Sequence, residues 1–170
     1  IIAIGSPGYV RTTVSGTTLT TSNVGKTSVY RYRDNVWGLM GNDIEDGTIE
    51  KRNAYSISLS SDGNSVAVGS ESGGGVRVYN FSGDDWRPFG SQISGTFGKS
   101  VSLSGNTVVI GSEDENNGRV YIYNFTDDDW SRAGRTFEKT IVAEGGTNNM
   151  GKNVNITSDD TSICVTSQSD

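Results

Sequence analysis

The sequence predicts an all-β protein built from tandem four-stranded antiparallel sheets, and three observations carry that prediction. Short apolar runs alternate with intervals rich in Gly, Ser, Thr, Asn and Asp, the residues that tight turns require. A short apolar signature ending in glycine recurs along the chain. Three tryptophans, Trp37, Trp86 and Trp130, stand 49 and 44 residues apart. Only 32% of the 170 residues are hydrophobic, with 23 Gly against 2 Pro. So polar a chain invites a disordered reading, but its apolar residues alternate and recur instead of thinning out.

The strands follow from the repeat. Ser65-Val-Ala-Val-Gly-Ser70 recurs as Thr107-Val-Val-Ile-Gly-Ser112, as Ile1-Ile-Ala-Ile-Gly-Ser6 and, degraded, as Ser162-Ile-Cys-Val-Thr-Ser167. Tyr30, Tyr79 and Tyr123 each precede a tryptophan by seven residues, and Gly41, Gly90 and Gly134 each follow one by four. In the second unit, strand A is Ser56 to Ser60, with Ile57 and Leu59 on one face. The turn Ser61-Asp-Gly-Asn64 supplies the Asp-Gly pair of a tight hairpin, since glycine accepts positive φ freely. Strand B is Ser65 to Gly69, strand C is Val76 to Phe81, and strand D opens at Trp86 after an acidic turn. The third unit repeats this order with Val101 and Leu103 in A, Val108 to Ile110 in B and Val120 to Phe125 in C.

Strand B is apolar on both faces in every copy, as a strand covered on both sides must be. Strand C alternates, which places it nearer an exposed rim. Sheets packed face to face around an axis satisfy both patterns: a β-propeller of four-stranded antiparallel blades, about three of them here. A β-sandwich does not usually repeat four-strand units so regularly. The units fall at 1–52, a partial blade with a long insertion at 9–24, then 53–95 and 96–147, with a further blade beginning at 148–170. Strands numbering three, four, four and two do not close a ring. The remaining blades are expected elsewhere on the same polypeptide or on a partner chain. The insertion is mostly Thr and Ser between Thr12 and Ser22 and reads as an extended hairpin, or else as an O-glycosylated loop.

Composition excludes several function classes. The net charge of −6 disfavours nucleic-acid binding. The chain contains no histidine, which removes the usual general base, the commonest zinc ligand and any Ser-His-Asp arrangement. Its single cysteine, Cys164, forms no internal disulfide; aligned with Ala3, Ala67 and Val109, it is expected to be a buried, inert thiol. No apolar run approaches the roughly 20 residues of a membrane-spanning helix.

The ordered anchors Ser-Val-Ser-Leu-Ser, Asp-Gly-Asn, Val-Ala-Val-Gly-Ser, Gly-x-Val-x-Val-Tyr and a Trp after an acidic turn resemble a known class of repeats. They resemble the FG-GAP-like propeller repeats of large secreted or surface proteins, and are distantly similar to the propeller of integrin α chains. The resemblance spans nearly the whole chain and implies a propeller used in adhesion or scaffolding. The integrin-type calcium loop is absent; Glu113 to Gly118, with Asp114, comes nearest and is out of register.

Several residues are candidates for function. Asn80, Asn124 and Asn155 head Asn-x-Ser/Thr sequons, and the first two hold the same place in their units, six residues before the tryptophan. They are glycosylation candidates if strand C ends beside an exposed turn; otherwise they cap that turn. Asp84 and Asp85, and Asp127, Asp128 and Asp129, offer hard oxygen ligands to Ca²⁺, although such a site takes six to eight oxygens. Adjacent aspartates in a hairpin are otherwise solvated and discourage edge pairing. Trp37, Trp86 and Trp130, with Tyr30, Tyr79 and Tyr123, are read as anchors packing blade on blade rather than as sugar-stacking platforms.

The leading reading is a non-catalytic structural or adhesive module of a secreted or cell-surface glycoprotein. It needs no cofactor and assembles with other protein chains or further copies of itself, without nucleic acid. A carbohydrate-binding propeller is one alternative. A propeller-fold glycoside hydrolase or lyase with its carboxylate pair outside this segment is another.

Overall fold

The computed structural model describes residues 1–45, 53–71, 73–113, 118–138 and 148–169. Fifteen strands and no helix occur among them, so no helix there is long and apolar enough to cross a membrane. The first sheet contains β1 (Ile2–Ser6), β4 (Lys26–Arg33) and β5 (Val36–Leu39). Between β1 and β4 stands a separate hairpin, β2 (Val10–Ser15) and β3 (Thr18–Asn23). The second sheet is a four-strand meander of β6 (Asn53–Leu59), β7 (Ser65–Ser70), β8 (Val76–Ser82) and β9 (Asp85–Pro88). The third repeats it with β10 (Ser100–Ser104), β11 (Thr107–Ser112), β12 (Arg119–Thr126) and β13 (Asp129–Glu138). β14 (Asn148–Ile156) and β15 (Ile163–Ser169) form the fourth. All strand pairings within these sheets are antiparallel, and the sheets are propeller-like blades that do not close.

The insertion is the two-residue hairpin its Thr and Val content favours, with Gly16 at φ +61° in the turn. Its base is tied down where the Tyr9 carbonyl accepts the amides of Val24 and Gly25. Arg11 pairs with Glu45 at 3.2 Å.

Alternation along strand B distributes the core. Val66 and Val68 on β7 pack with Val29 of the first sheet, whereas Ala67 between them joins Val101 and Leu103 of the third. On β11, Val108 and Ile110 face the second sheet and Val109 faces Val154 and Ile156 of the fourth. Each sheet therefore has an entry face toward its predecessor and an exit face toward its successor. The core is a series of layers between sheets, as the both-sided apolarity of strand B requires.

The same rule explains Cys164, which is exposed rather than buried. It holds the exit position of Ala67 and Val109, but among the described residues no further sheet covers that face. The two outer faces are unlike. Ile2 and Ile4, at the entry positions of Val66 and Val68, are 42% and 48% exposed, while the exit face of the last sheet carries Asn153, Asn155 and Cys164.

Ile110 is fully buried between the second and third sheets, so Ile110→Ala is expected to cost about 2–5 kcal/mol. Urea-induced unfolding monitored by circular dichroism measures this, and a loss below about 0.5 kcal/mol would contradict the layer assignment.

Candidate functional site: the contacts between sheets

The recurring residues converge on the sheet-to-sheet interfaces, and near the rim they build the same clamp twice. Trp86, second in β9, donates its indole N–H to the carbonyl of Met40, just past β5 of the first sheet, at 2.6 Å. Asp85 receives the backbone amide of Asn42 at 2.8 Å and the Asn42 side-chain amide at 2.9 Å. One sheet further on, Trp130 donates to the Phe89 carbonyl at 2.7 Å and Asp129 accepts the Ser91 amide at 2.6 Å. Each carboxylate also accepts the amide of the tryptophan that follows it. Between the gripped residues lies a glycine at positive φ, Gly41 or Gly90. A Cβ at Gly41 would stand 3.0 Å from Asp85 and 3.1 Å from Trp86, and one at Gly90 would stand 2.8 Å from Trp130. Only glycine admits both the turn and the indole. A ring from the neighbouring strand props each indole edge-on, Phe81 against Trp86 at 5.3 Å and Phe125 against Trp130 at 5.2 Å.

The amides of Asn42 and Trp86 hold the Asp85 carboxyl below its ordinary value, and those of Ser91 and Trp130 do the same for Asp129. Neither aspartate is a merely solvated turn residue. The positions at the hairpin tip are: Asp127 and Asp128 have φ of 52° and 63° and lie exposed, as does Asp84. Asp114 lies outside the described residues. Among the described residues no three His, Cys, Asp or Glu side chains gather into a set that could hold a metal ion.

Along strand A the joint is made by hydroxyls. Ser58 Oγ accepts the Leu103 amide at 2.9 Å, and Ser102 Oγ accepts the corresponding Ile156 amide at 3.1 Å. Ser100 Oγ accepts the Val154 amide at 2.9 Å, and Ser56 Oγ donates to the Gly98 carbonyl at 2.6 Å. Strand A thus alternates an aliphatic residue for its predecessor with a serine that satisfies the backbone of its successor. Near the end of strand B the backbones nearly touch: a Cβ on Gly69 would collide with the Gly98 carbonyl, and one on Gly111 with that of Gly151.

The A–B turns carry a second hydroxyl device. Asp62 accepts the Ser60 hydroxyl at 2.6 Å and the Asn64 amide at 3.0 Å, which lowers its pKa. Asp159, with Thr157 and Thr161, is lowered to about 2. The third sheet closes this turn without an aspartate, through Gly105 and Asn106, and the buried Ser104 hydroxyl has no partner there.

Other candidates are placed differently. Tyr79 is buried against the first sheet and Tyr123 is partly buried against the second, while Tyr30 is half-buried on the outer face beside Ile2. Trp37 is exposed on that same face, leaning on Tyr32 at 5.1 Å, and Val36 stands before it where the clamp has aspartate. Asn80 and Asn124 are not turn residues. They are half-buried inside β8 and β12, paired on both sides, with Ser65 and Arg87 and with Thr107 and Ser131. Asn155 is exposed on β14, at the position of Ser58 and Ser102.

Sequence reasoning missed the roles of Asp85, Asp129 and the strand A serines. The recurring Asp-Trp dipeptide and the Ser-x-Ser pattern were the signals available for them.

Two outcomes test the clamp. Trp86→Phe leaves the Met40 carbonyl unpaired and is expected to cost about 1–3 kcal/mol. The second follows from charge. Asp62, Asp85, Asp129 and Asp159 are lowered in the folded state, so they bind more protons when unfolded. Their stabilisation is complete above the ordinary Asp value of about 3.9 and fades as pH falls through the lowered values. Urea midpoints should therefore drop between pH 5 and pH 2, less steeply in the Asp85→Asn, Asp129→Asn double variant; a flat wild-type profile would contradict this.

Comparison with known proteins agrees with this geometry over one stretch. No curated protein matches the chain. Residues 93–123 match the family model described as the FG-GAP repeat, a span that includes β10, β11 and the first half of β12. The third sheet carries an FG-GAP-like repeat within an all-β, propeller-like chain.

Proposed function

We propose that the chain is a non-catalytic assembly or adhesion module of an extracellular or cell-surface protein, engaging other protein chains. FG-GAP repeats form β-propeller modules that are commonly adhesive and occur in surface proteins, which supports the reading. The observation that carries it is the projecting hairpin. Val14 and Leu19 face each other across β2 and β3 at 70% and 66% exposure, and the outer face of the first sheet exposes Ile2, Ile4, Trp37 and Leu39. Apolar side chains held out on a short, anchored ribbon suit contact with another protein. The repeated Asp, Trp and Ser positions are occupied in holding sheet to sheet, which leaves them unsuited to serve as a reacting set.

A photo-crosslinking residue at Val14, introduced into the protein in its native assembly, tests this. Adducts to a defined surface on another protein chain are expected, and they should fall when Leu19 is changed to Ser. Adducts to glycan alone, or none above an exposed control at Thr17, would contradict the proposal. Glycopeptide mapping of the same material tests the compartment, with sugar expected at the exposed Asn155 ahead of the half-buried Asn80 and Asn124.

A further inference from the structure

The first interface departs from the second at one place on the rim. Arg31 and Arg33 on β4 hold the positions of Asn80 and Ser82 on β8 and of Asn124 and Thr126 on β12. Gly38, opposite Arg31, stands where the later sheets have Arg87 and Ser131. Met40 replaces Phe89, whose ring stacks on Phe125 at 4.0 Å in the second interface. The missing bulk opens a cleft of about 380 Å³ between the first and second sheets, lined by Arg31, Arg33, Gly38, Leu39, Met40, Phe81 and Asp84 among others. Among the described residues neither arginine has a hydrogen bond or ion pair, although the Arg31 guanidinium lies 5.8 Å from the centre of the Phe81 ring. Two unpaired guanidiniums on one strand face are notable in a chain of net charge −6.

We propose that this cleft is a binding site for an anionic saccharide, a sugar unit bearing a carboxylate or sulfate. The guanidiniums are planar donors matched to such groups. Phe81, with Met40 beneath it, gives an apolar surface for the C–H face of a ring, and the volume lies in the range of small-ligand sites. Asp84 favours sugar over an acidic peptide: its carboxylate accepts hydrogen bonds from the hydroxyls that a sugar carries beside its anionic group and that Glu or Asp side chains lack. The site adds to the protein-contact role proposed above and does not depend on it.

Calorimetric titration of the chain with an oligogalacturonate, its fully methyl-esterified counterpart, a sulfated galactan oligosaccharide and poly-glutamate tests the proposal. Saturable binding of at least one anionic sugar is expected, weakened by salt and stronger than that of the neutral ester or poly-glutamate. The Arg31→Gln, Arg33→Gln double variant should bind at least about tenfold more weakly. Gly38→Phe keeps both charges and fills the cleft; a Cβ there meets nothing within 4 Å, so the fold should tolerate it while binding falls equally. Unchanged melting temperatures verify that both variants are folded. No binding of either anionic sugar, equal binding of the ester or poly-glutamate, or binding that survives both variants would overturn the proposal.

Discussion

The structure depends on how closely one sheet can approach the next. Antiparallel meanders satisfy their own backbones, but a single two-faced sheet leaves both apolar surfaces uncovered and is not stable alone. Glycine sets the approach distance here. Gly69 and Gly111 let backbones meet beside strand A, and Gly41 and Gly90 admit an indole and a carboxylate near the rim. With the sheets pinned at both ends, Val, Leu and Ile from alternate positions fill the layer between them.

The polar residues complete this arrangement. A sheet face in a stack must hide whatever backbone it covers, and each unpaired buried group carries a cost. The strand A serines meet that need along one edge, and the Asp-Trp pair meets it at the other. This division lets a polar chain build a core: few residues are apolar, but the strand A serines and the Asp-Trp pairs find partners on the adjacent sheet. Features outside the repeat are then free for contact with other molecules. The β2–β3 hairpin and the Arg31–Arg33 cleft are both departures from the repeated pattern, and both involve the first of the repeated units.

The fold was readable because the repeat constrains local pattern. Alternation, the Asp62-Gly63 turn and the Trp–Gly spacing each reflect one strand or turn, and each appears within a few residues of sequence. The interfaces were less readable because their partners are distant. Trp86 meets a carbonyl 46 residues earlier, and nothing around either residue says which glycine the indole will cross. Cys164 shows the same limit from the other side. Its alignment with Ala67 and Val109 is correct, yet alignment gives the direction of a side chain and not whether a sheet lies there to cover it. Asn80 and Asn124 lie in strand C, as the pattern implies, and that strand runs one residue further than expected, to Ser82 and Thr126, before the chain turns.

The central claim is that successive sheets are joined through the indole N–H groups of Trp86 and Trp130. Hydrogen exchange at the three indole nitrogens, followed by NMR on the folded chain, tests it most directly. The Trp86 and Trp130 indoles should be protected by their bonds to the Met40 and Phe89 carbonyls, while the exposed Trp37 indole, without such a bond among the described residues, should exchange at nearly the free rate. Equal, rapid exchange at all three would contradict the account, because neither indole would then bridge one sheet to the next.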